Sequence, residues 1–393
     1  MNHHNSSTSS SESGTRTRLR ANIKAALWTI FFLVLMDAAA NLLFPYPADP
    51  HATPNSLQRY FEYGRSTEGK LPRIIGSTDD TTAPIGFAGW LDPSDWSTQP
   101  QAPPQPDGVL MAVYGMSFAA DAGKGVCAID PRFAMRFIGG PSAPPNFAYA
   151  AYELDRGNSS AKVAVLAVLA SSVRGMETLT GMTMNFEQPY PFTYPIYRLQ
   201  EGALKAEWPQ VRSLPELRGA LADPAQWNPF VEQLSVHDRY YSPLLFDRTP
   251  LDHSAIVRMV RRAWAQRRDT QIVESLRDAG GFKESASVVP VLRAMVKSFA
   301  ASCRADGMLP VVYLVNDRGY SDHLYRLLAP TLDSEGIPYV STHTYAPADN
   351  PANFIGDGHF TEAANAEIVA AMHALIVKGL PVPLAENGDL LRE

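Results

Sequence analysis

The chain has 393 residues, of which 45% are hydrophobic and 19% charged, a composition typical of a globular protein. This length is enough for one large domain with insertions or for two modest domains. The formal net charge of −6 and the sequence pI of about 5.9 argue against a dedicated nucleic-acid-binding protein, which usually carries a basic surface.

The N-terminal segment predicts a single membrane helix. Residues 1–22 are rich in Ser and Thr and then basic, and we expect them to be disordered in the cytoplasm. Residues 23–44, "IKAALWTIFFLVLMDAAANLLF", are long and apolar enough to cross a bilayer once. Cations cluster at or before the start of this run, and no Lys or Arg follows it before Arg59. The positive-inside rule therefore places the rest of the chain outside the cytoplasm.

Two interpretations of this run remain open. One is an uncleaved signal anchor, which makes the protein a single-pass inner-membrane protein with a periplasmic or extracytoplasmic domain. The other is a cleaved signal peptide, with "DAAA" at 37–40 as the small-residue cleavage site. We favour the anchor because the apolar character resumes at 42–44, although Asp37 interrupts the run. In either case the domain is exported, and Cys127 and Cys303 can form a disulfide if they meet.

The remaining elements predict an α/β domain behind a stalk. Residues 45–107 are rich in Pro and predict a stalk or preamble with a short helix at 59–74. Continuous apolar runs then predict strands buried on both faces, at 108–115, 132–140, 161–172, 309–317 and 337–345. Helices are predicted at 143–157, 321–335 and 362–378, and further helices near 228–236, 252–268 and 287–304.

This alternation of strands and helices predicts a three-layer α/β/α architecture with a doubly wound parallel sheet over residues 108–380. Residues 173–300 interrupt the alternation and are predicted to be a large insertion between the third and fourth strands. Residues 381–393 form a C-terminal tail.

Three side chains with complementary chemistry follow the predicted strands. Ser117 comes directly after the first strand, and Asp357 and His359 come after the fifth. Ligands bind beyond the carboxyl ends of the strands in such sheets, so these groups are expected to meet. A serine hydroxyl needs a base to take its proton, and that base needs an orienting partner. We predict a triad of Ser117, His359 and Asp357. Taken alone, Ser117 is also typical of a helix N-cap.

The motif around each group separates two families of serine hydrolases. "GMSFA" at 115–119 resembles the Gly-x-Ser-x-Gly elbow of α/β-hydrolases, but Ala119 replaces the second glycine. "GDGHFTEAAN" at 356–365 places the aspartate and the histidine two residues apart in one loop. This arrangement resembles the SGNH (GDSL-like) hydrolase superfamily, in which the serine follows the first strand and an Asp-x-His or Asp-x-x-His pair precedes the last helix. The resemblance covers about residues 108–378.

The resemblance implies a flavodoxin-like SGNH fold and a serine esterase or O-acetyltransferase that acts on O-acetyl groups of an envelope polysaccharide or exopolysaccharide. It implies no metal and no organic cofactor. The implied partners are a carbohydrate or acyl-ester substrate, the inner membrane and polysaccharide-synthesis proteins, with no nucleic acid.

This sequence departs from the family pattern at two positions. Met116 stands where the family has an aspartate, and Ser171 and Ser172 stand where it has the asparagine of the oxyanion hole. We expect the oxyanion to be stabilised by backbone N–H groups near Ser117 and Gly140 and by Ser171 and Ser172, with Asn146 as a replacement donor. The departures leave an alternative open, in which a catalytically weak or inactive SGNH-fold protein binds or assembles polysaccharide.

Two further segments carry hypotheses. The basic run "RMVRRAWAQRRD" at 258–269 is by default a solvated helix face. The sharper hypothesis is contact with anionic lipid headgroups or acidic polysaccharide through Arg261, Arg262, Arg267 and Arg268. The aromatic stretch at 185–197 is interpreted either as a platform for sugar rings or as ordinary packing of the insertion.

Overall fold

The computed structural model describes residues 10–49, 52–76 and 88–380. The predicted tail at 381–393 lies outside the described residues, as do residues 1–9 of the N-terminal segment and parts of the predicted stalk.

The first described element is a long apolar helix. Helix α1 spans Ser10–Leu43, and its part Arg18–Leu43 is long and apolar enough to cross a membrane, with a mean hydropathy of 1.9. A signal sequence near the N-terminus passes the same test of length and composition. The prediction of one apolar N-terminal helix is confirmed. The prediction of disorder up to residue 22 is wrong from Ser10 onward, because a helix once nucleated extends at little cost into neighbouring residues.

The described part of the predicted stalk, residues 45–49, 52–76 and 88–107, carries two α-helices rather than one. Helix α2 spans Ser56–Glu62 and helix α3 spans Thr67–Ile75. The predicted single helix at 59–74 is divided because Ser66 is the N-cap at which α3 begins. Its hydroxyl accepts a hydrogen bond from the Gly69 N–H at 3.0 Å.

A five-stranded parallel sheet forms the centre of the domain. Its strands are β1 Val109–Gly115, β2 Phe133–Gly139, β3 Val163–Leu169, β8 Leu309–Val315 and β9 Tyr339–Ser341. The order β2-β1-β3-β8-β9 is the doubly wound order 2-1-3-4-5 found in flavodoxin-like sheets. Strands β1 and β3 are buried along their whole length, as their continuous apolar sequences predict. The prediction of a mixed α/β protein with a central parallel sheet is confirmed.

Between β3 and β8 the chain forms short hairpins and helices. The strands are β4 Ile196–Gln200, β5 Ala203–Glu207, β6 Arg277–Asp278 and β7 Gly281–Phe282. The helices are α6 Gly181–Met184, α7 Leu214–Ala222, α8 Pro224–His237, α9 Pro243–Phe246, α10 Ala255–Leu276 and α11 Val288–Ala305. Helix α11 packs against β8 and therefore belongs to the sheet's own helices, although the sequence assigned its first part to the insertion.

Helices cover both faces of the sheet. They are α4 Ser117–Ile129, α5 Pro145–Asp155, α12 His323–Ser334 and α13 Glu362–Gly379, together with α11. Adjacent residues of β1 point in opposite directions: a Cβ on Gly123 of α4 would lie 3.4 Å from Val113 Cγ2, whereas the Tyr114 hydroxyl donates to Asp155 of α5. Helices α4 and α13 pack together on one face, and α11 packs with α5 and α12 on the other.

The two cysteines do not form the disulfide that export would permit. Both Cys127 and Cys303 are free thiols. Cys127 lies on α4 and Cys303 lies on α11, so the sheet separates them. Their positions on opposite faces were not visible from the spacing in the chain.

A buried ion pair connects the first two strands to α5. Arg136 on β2 donates two hydrogen bonds to the Asp155 carboxylate, at 2.6 and 2.8 Å, and both side chains are almost completely buried. The Tyr114 hydroxyl on β1 donates to the same carboxylate at 2.9 Å. Since both charges are removed from water, the attraction between them is needed to offset the hydration that each has lost. The pair therefore fixes β1 and β2 relative to α5.

The end of α1 is attached to the body of the protein. Asp37 Oδ1 accepts hydrogen bonds at 2.8 Å from the Ser254 hydroxyl and from the Ile256 N–H, at the first turn of α10. Arg258 of the same helix donates to Asn41 Oδ1. Asp37 thus stabilises a helix N-terminus, where a negative charge is favourable. This contact uses a residue of the predicted "DAAA" cleavage site.

We expect the substitution Asp155→Ala to lower the free energy of unfolding by about 3–5 kcal/mol, because it leaves the Arg136 guanidinium buried without a counter-charge. The measurement is urea unfolding of the detergent-solubilised protein. The control is Asp306→Ala, which removes the partly exposed pair with Arg156 and should cost about 0–1 kcal/mol. Equal losses in the two variants would contradict the structural role given to the buried pair.

Candidate active site

Ser117 lies where β1 turns into α4. Strand β1 ends at Gly115, Met116 is extended with φ −129° and ψ −175°, and Ser117 is the first residue of the helix. A Cβ on Gly115 would lie 2.7 Å from Ala167 Cβ on the neighbouring strand, so only glycine fits at this close approach. The turn leaves the Ser117 side chain exposed at the carboxyl edge of the sheet.

A short hairpin presents the histidine. Phe354 and Phe360 pair as an antiparallel bridge, and the Ile355 N–H donates to the His359 carbonyl oxygen at 2.8 Å. The turn between them contains Gly358 with φ +93°, a conformation that residues with a Cβ rarely adopt. The hairpin directs the His359 side chain back across the sheet edge toward α4.

The structure brings Ser117, His359 and Asp357 together, as the sequence predicts. His359 Nε2 lies 2.6 Å from Ser117 Oγ, and His359 Nδ1 lies 3.1 Å from Asp357 Oδ1. With Nδ1 donating its hydrogen to the carboxylate, Nε2 is left as the acceptor for the serine hydroxyl. Ser117 does not cap its helix, because its hydroxyl is directed to His359 and it is the first helical residue rather than the N-cap.

Asp357 is held by the residue that it orients. The backbone N–H of His359 donates to Asp357 Oδ1 at 3.0 Å, and the imidazole Nδ1 lies 3.1 Å from the same oxygen. The backbone hydrogen bond, together with the neighbouring imidazole, holds the pKa of the Asp357 carboxyl below its ordinary value. The side chain of Asp357 is 64% exposed and that of His359 is 31% exposed, so the triad is open to solvent.

Aromatic rings fix the imidazole plane. The ring of Phe118 stacks on His359, with centroids 4.8 Å apart and an angle of 26° between the planes. Phe360 meets Phe118 edge to face at 5.1 Å. Phe118 therefore positions the histidine, a role that the sequence analysis did not assign. Its place directly after the serine was the available signal.

Backbone amides at the start of α4 lie next to Ser117. Met116 is the N-cap residue and supplies no side-chain acceptor, and the first intrahelical bond runs from the Ala119 N–H to the Met116 carbonyl oxygen at 2.9 Å. The N–H groups of Ser117 and Phe118 have no intrahelical partner, as in the first turn of any α-helix. They point toward the helix start, where the dipole favours negative charge.

The other predicted oxyanion donors have different partners. The Gly140 N–H donates to the Gly115 carbonyl oxygen at 3.0 Å, and the Ser172 hydroxyl donates to the Ser142 carbonyl oxygen at 2.9 Å. The Ser171 N–H donates to Asp317 Oδ1 at 3.1 Å. Asn146 is buried, and its Nδ2 donates to the Pro195 carbonyl oxygen at 2.7 Å. The structure therefore does not present these groups as free donors toward Ser117.

The aromatic stretch at 185–197 packs mainly against helix α5 of the sheet domain, where Phe192 and Tyr194 meet Phe147 with ring centroids 5.6 and 6.4 Å apart. Phe192 and Tyr194 are buried, and Tyr190 stacks on Phe192 with centroids 6.1 Å apart. Of the rings in this stretch, only those of Tyr190 and Phe186 line a cavity of about 340 Å³. Residues from other segments, such as Arg174, line the same cavity. Of the two hypotheses for this stretch, packing accounts for most of its rings.

Among the residues that the structure describes, no three His, Cys, Asp or Glu side chains lie close enough together to hold a metal ion. Comparison of the chain with family models, with curated proteins and with solved structures finds no match.

We expect Gly358→Ala to lower the free energy of unfolding by about 1–2 kcal/mol, because alanine is strained at positive φ. Gly356→Ala is the matched control in the same turn. No atom lies within 4 Å of a Cβ built at either glycine, and only Gly358 has positive φ. The control should change stability by less than about 0.5 kcal/mol. Thermal or urea unfolding checks both, and equal effects would contradict the described turn.

Proposed function

We propose that the protein is a serine-dependent acyl-ester enzyme of the SGNH type, which removes or transfers O-acetyl groups of a cell-envelope polysaccharide or exopolysaccharide. The observation that carries this proposal is the hydrogen bond between Ser117 Oγ and His359 Nε2 at 2.6 Å, with Asp357 Oδ1 lying 3.1 Å from His359 Nδ1. This is the arrangement that turns a serine hydroxyl into a nucleophile. The motif "GDGHFTEAAN" supports the SGNH assignment over an α/β-hydrolase.

In the proposed reaction, Ser117 Oγ attacks the carbonyl carbon of the acetyl ester while its proton passes to His359 Nε2. The C–O bond to the sugar then breaks, and the imidazolium returns the proton to the departing sugar oxygen. Water or a second sugar hydroxyl attacks the carbonyl carbon of the acetyl-serine and gives its proton to His359. The bond between that carbon and Ser117 Oγ then breaks, and the imidazolium returns the proton to Oγ, which regenerates Ser117 and releases acetate or the acetylated sugar. Asp357 stabilises the imidazolium in both halves of the reaction.

The negative charge on the carbonyl oxygen is assigned to the N–H groups of Ser117 and Phe118. Preorganised amide donors at a helix start lower the energy of such an oxyanion. This assignment replaces the four donors expected from the sequence, because their hydrogen bonds are made to groups other than the proposed oxyanion. These donors are Gly140, Ser171, Ser172 and Asn146. A hole made of backbone amides alone has fewer donors than the family pattern provides.

The exposure of the triad bears on the substrate. Ser117 is exposed and the His359 side chain is 31% exposed, so a polymer chain can approach without the opening of a lid. An open site also admits water to the acetyl-serine, which favours the esterase over the transferase unless a bound sugar excludes the water. The substrate class itself comes from the family resemblance.

The proposed location is the inner membrane, with α1 as an uncleaved anchor and the domain on the extracytoplasmic side. The hydrogen bonds from Ser254 and Ile256 to Asp37 support retention of α1, because cleavage after "DAAA" would remove their acceptor. The cations in the N-terminal part of α1, Arg16, Arg18, Arg20 and Lys24, support the proposed orientation.

A second candidate is an SGNH-fold protein that binds or assembles polysaccharide without turnover. The observation that favours it is the commitment of the Gly140, Ser171 and Ser172 donors to other partners. Binding of glycan by the purified protein without any ester hydrolysis would support this candidate over the enzyme.

We expect Ser117→Ala to abolish both hydrolysis of a chromogenic acetyl ester and labelling by a fluorophosphonate probe, because each requires the serine nucleophile. The control is Ser334→Ala, which removes an exposed serine at the end of α12 and should retain both signals. Undiminished labelling or turnover in the Ser117 variant would overturn the proposal.

We expect Asp357→Asn to lower kcat by up to about 10⁴-fold, because the neutral amide neither fixes the His359 tautomer nor stabilises the imidazolium. Since the pKa of Asp357 is held below its ordinary value, the wild-type carboxylate stays charged as pH falls until that low pKa is reached. The ratio of wild-type to variant rates should therefore be constant between about pH 5 and pH 9. Asp349→Asn, in the same loop region, is the control and should leave kcat unchanged. A ratio that collapses near neutral pH would contradict this role.

A further inference from the structure

The arginines of α10 are turned into the protein. Arg261 pairs with Asp252 and is 1% exposed, and Arg262 donates to Glu187 at 2.8 and 3.1 Å. Arg268 donates to the carbonyl oxygens of Arg239 and Tyr241 at 2.8 and 3.0 Å. The side chains of Arg261, Arg262 and Arg268 are bonded to other residues of the insertion. The hypothesis that they contact lipid or polysaccharide is therefore wrong for these three of its four arginines. Only Arg267 is exposed.

The surface that α10 presents to solvent is apolar in its first half. Val260 is 60% exposed and Trp264 is 48% exposed, and Ala263 lies exposed between them. The spacing i, i+3, i+4 places the three on one side of the helix. One turn further along, the exposed residues are polar, at Thr270, Gln271 and Glu274. We name Val260, Ala263 and Trp264 the outer face of α10.

The outer face lies close to the point where the candidate membrane helix joins the body. Asp37, directly after the most apolar part of α1, accepts hydrogen bonds from Ser254 and Ile256 at the start of α10. Trp264 follows Ser254 by ten residues, which is about 15 Å along a helix. The outer face therefore lies on the same helix as the attachment of α1, within about 15 Å of it along the helix axis.

The composition of this region suits a bilayer interface. Tryptophan and tyrosine concentrate where the hydrocarbon meets the headgroups. Outside α1, Trp264 is the one tryptophan of the described chain whose side chain is largely exposed. Tyr60 of α2 is 43% exposed and lies under the Arg262 guanidinium, at 4.6 Å from its ring centroid. The exposed Arg267 borders the face and suits contact with anionic headgroups.

We propose that the outer face of α10 is a second membrane contact, which rests in the interfacial layer of the leaflet from which α1 emerges. With α1 crossing the bilayer and α10 lying along its surface, the domain has two contacts with the membrane. Two contacts restrict the tilt of the domain relative to the membrane more than α1 alone would. The partner is the lipid surface itself. The proposal requires α1 to be in the membrane and is independent of the proposed chemistry at Ser117.

The test uses the full-length protein in nanodiscs of mixed zwitterionic and anionic phospholipid, some with a quencher attached to the acyl chain near the headgroup and others with the quencher near the end of the acyl chain, where it reaches the middle of α1. In a Cys127→Ser background, where the remaining Cys303 is buried, an environment-sensitive fluorophore is attached to one introduced cysteine. The sites are Trp264→Cys on the outer face, Phe31→Cys in α1 and Val236→Cys on α8, a control that is 68% exposed.

We expect quenching at positions 31 and 264 and none at position 236, with at least about a twofold loss of signal at 264. Adding Trp264→Glu to a Val260→Cys reporter should abolish the quenching at 260, because a charged side chain does not enter the interface. Quenching at 31 with none at 264 overturns the proposal. Absence of quenching at 31 also overturns it, because α1 is then outside the bilayer. Hydrolysis of a small acetyl ester by Trp264→Glu in detergent should be unchanged, which separates this test from the function of Ser117.

Discussion

The hydrogen bond from the Ser117 hydroxyl to His359 Nε2 joins two loops that are 242 positions apart in the chain. This contact depends on the sheet, because parallel strands place all of their carboxyl ends at one edge. The loop after β1 and the loop after β9 therefore open on the same side. The close approach of Gly115 to β3 and the hairpin before α13 then bring the two side chains within bonding distance.

The remainder of the site is built largely from backbone and packing rather than from further polar side chains. Phe118 stacks on the imidazole ring, and the amides at the start of α4 are the donors that we propose for an oxyanion. Ser171 and Ser172 instead connect the end of β3 to Asp317 and to Ser142. These bonds connect the ends of β2, β3 and β8, which are neighbours of the two strands that the triad residues follow. In the proposed function, the serine and its base are thus in place, whereas the oxyanion hole has fewer donors than the family pattern.

Local patterns predicted the strands and the triad well, because buried parallel strands have continuous apolar sequences and the triad residues follow strand ends directly. Long-range pairing was less predictable. The basic sequence of α10 suggested a charged surface, yet Arg261 and Arg262 meet Asp252 and Glu187, and nothing in the local sequence identifies those partners. The same limit applies to Gly140, whose N–H is taken by a neighbouring strand end, and to Cys127 and Cys303, which the sheet separates.

We propose that Ser117 becomes covalently acylated during turnover. Mass spectrometry of the protein after acid quench of a reaction with an activated acetyl ester, followed by peptide mapping, tests this proposal. We expect an acetyl group on the peptide that contains Ser117, which disappears on longer incubation in buffer as the enzyme deacylates. Ester turnover with no acetylated Ser117 peptide, or with the acetyl group on another residue, would contradict it.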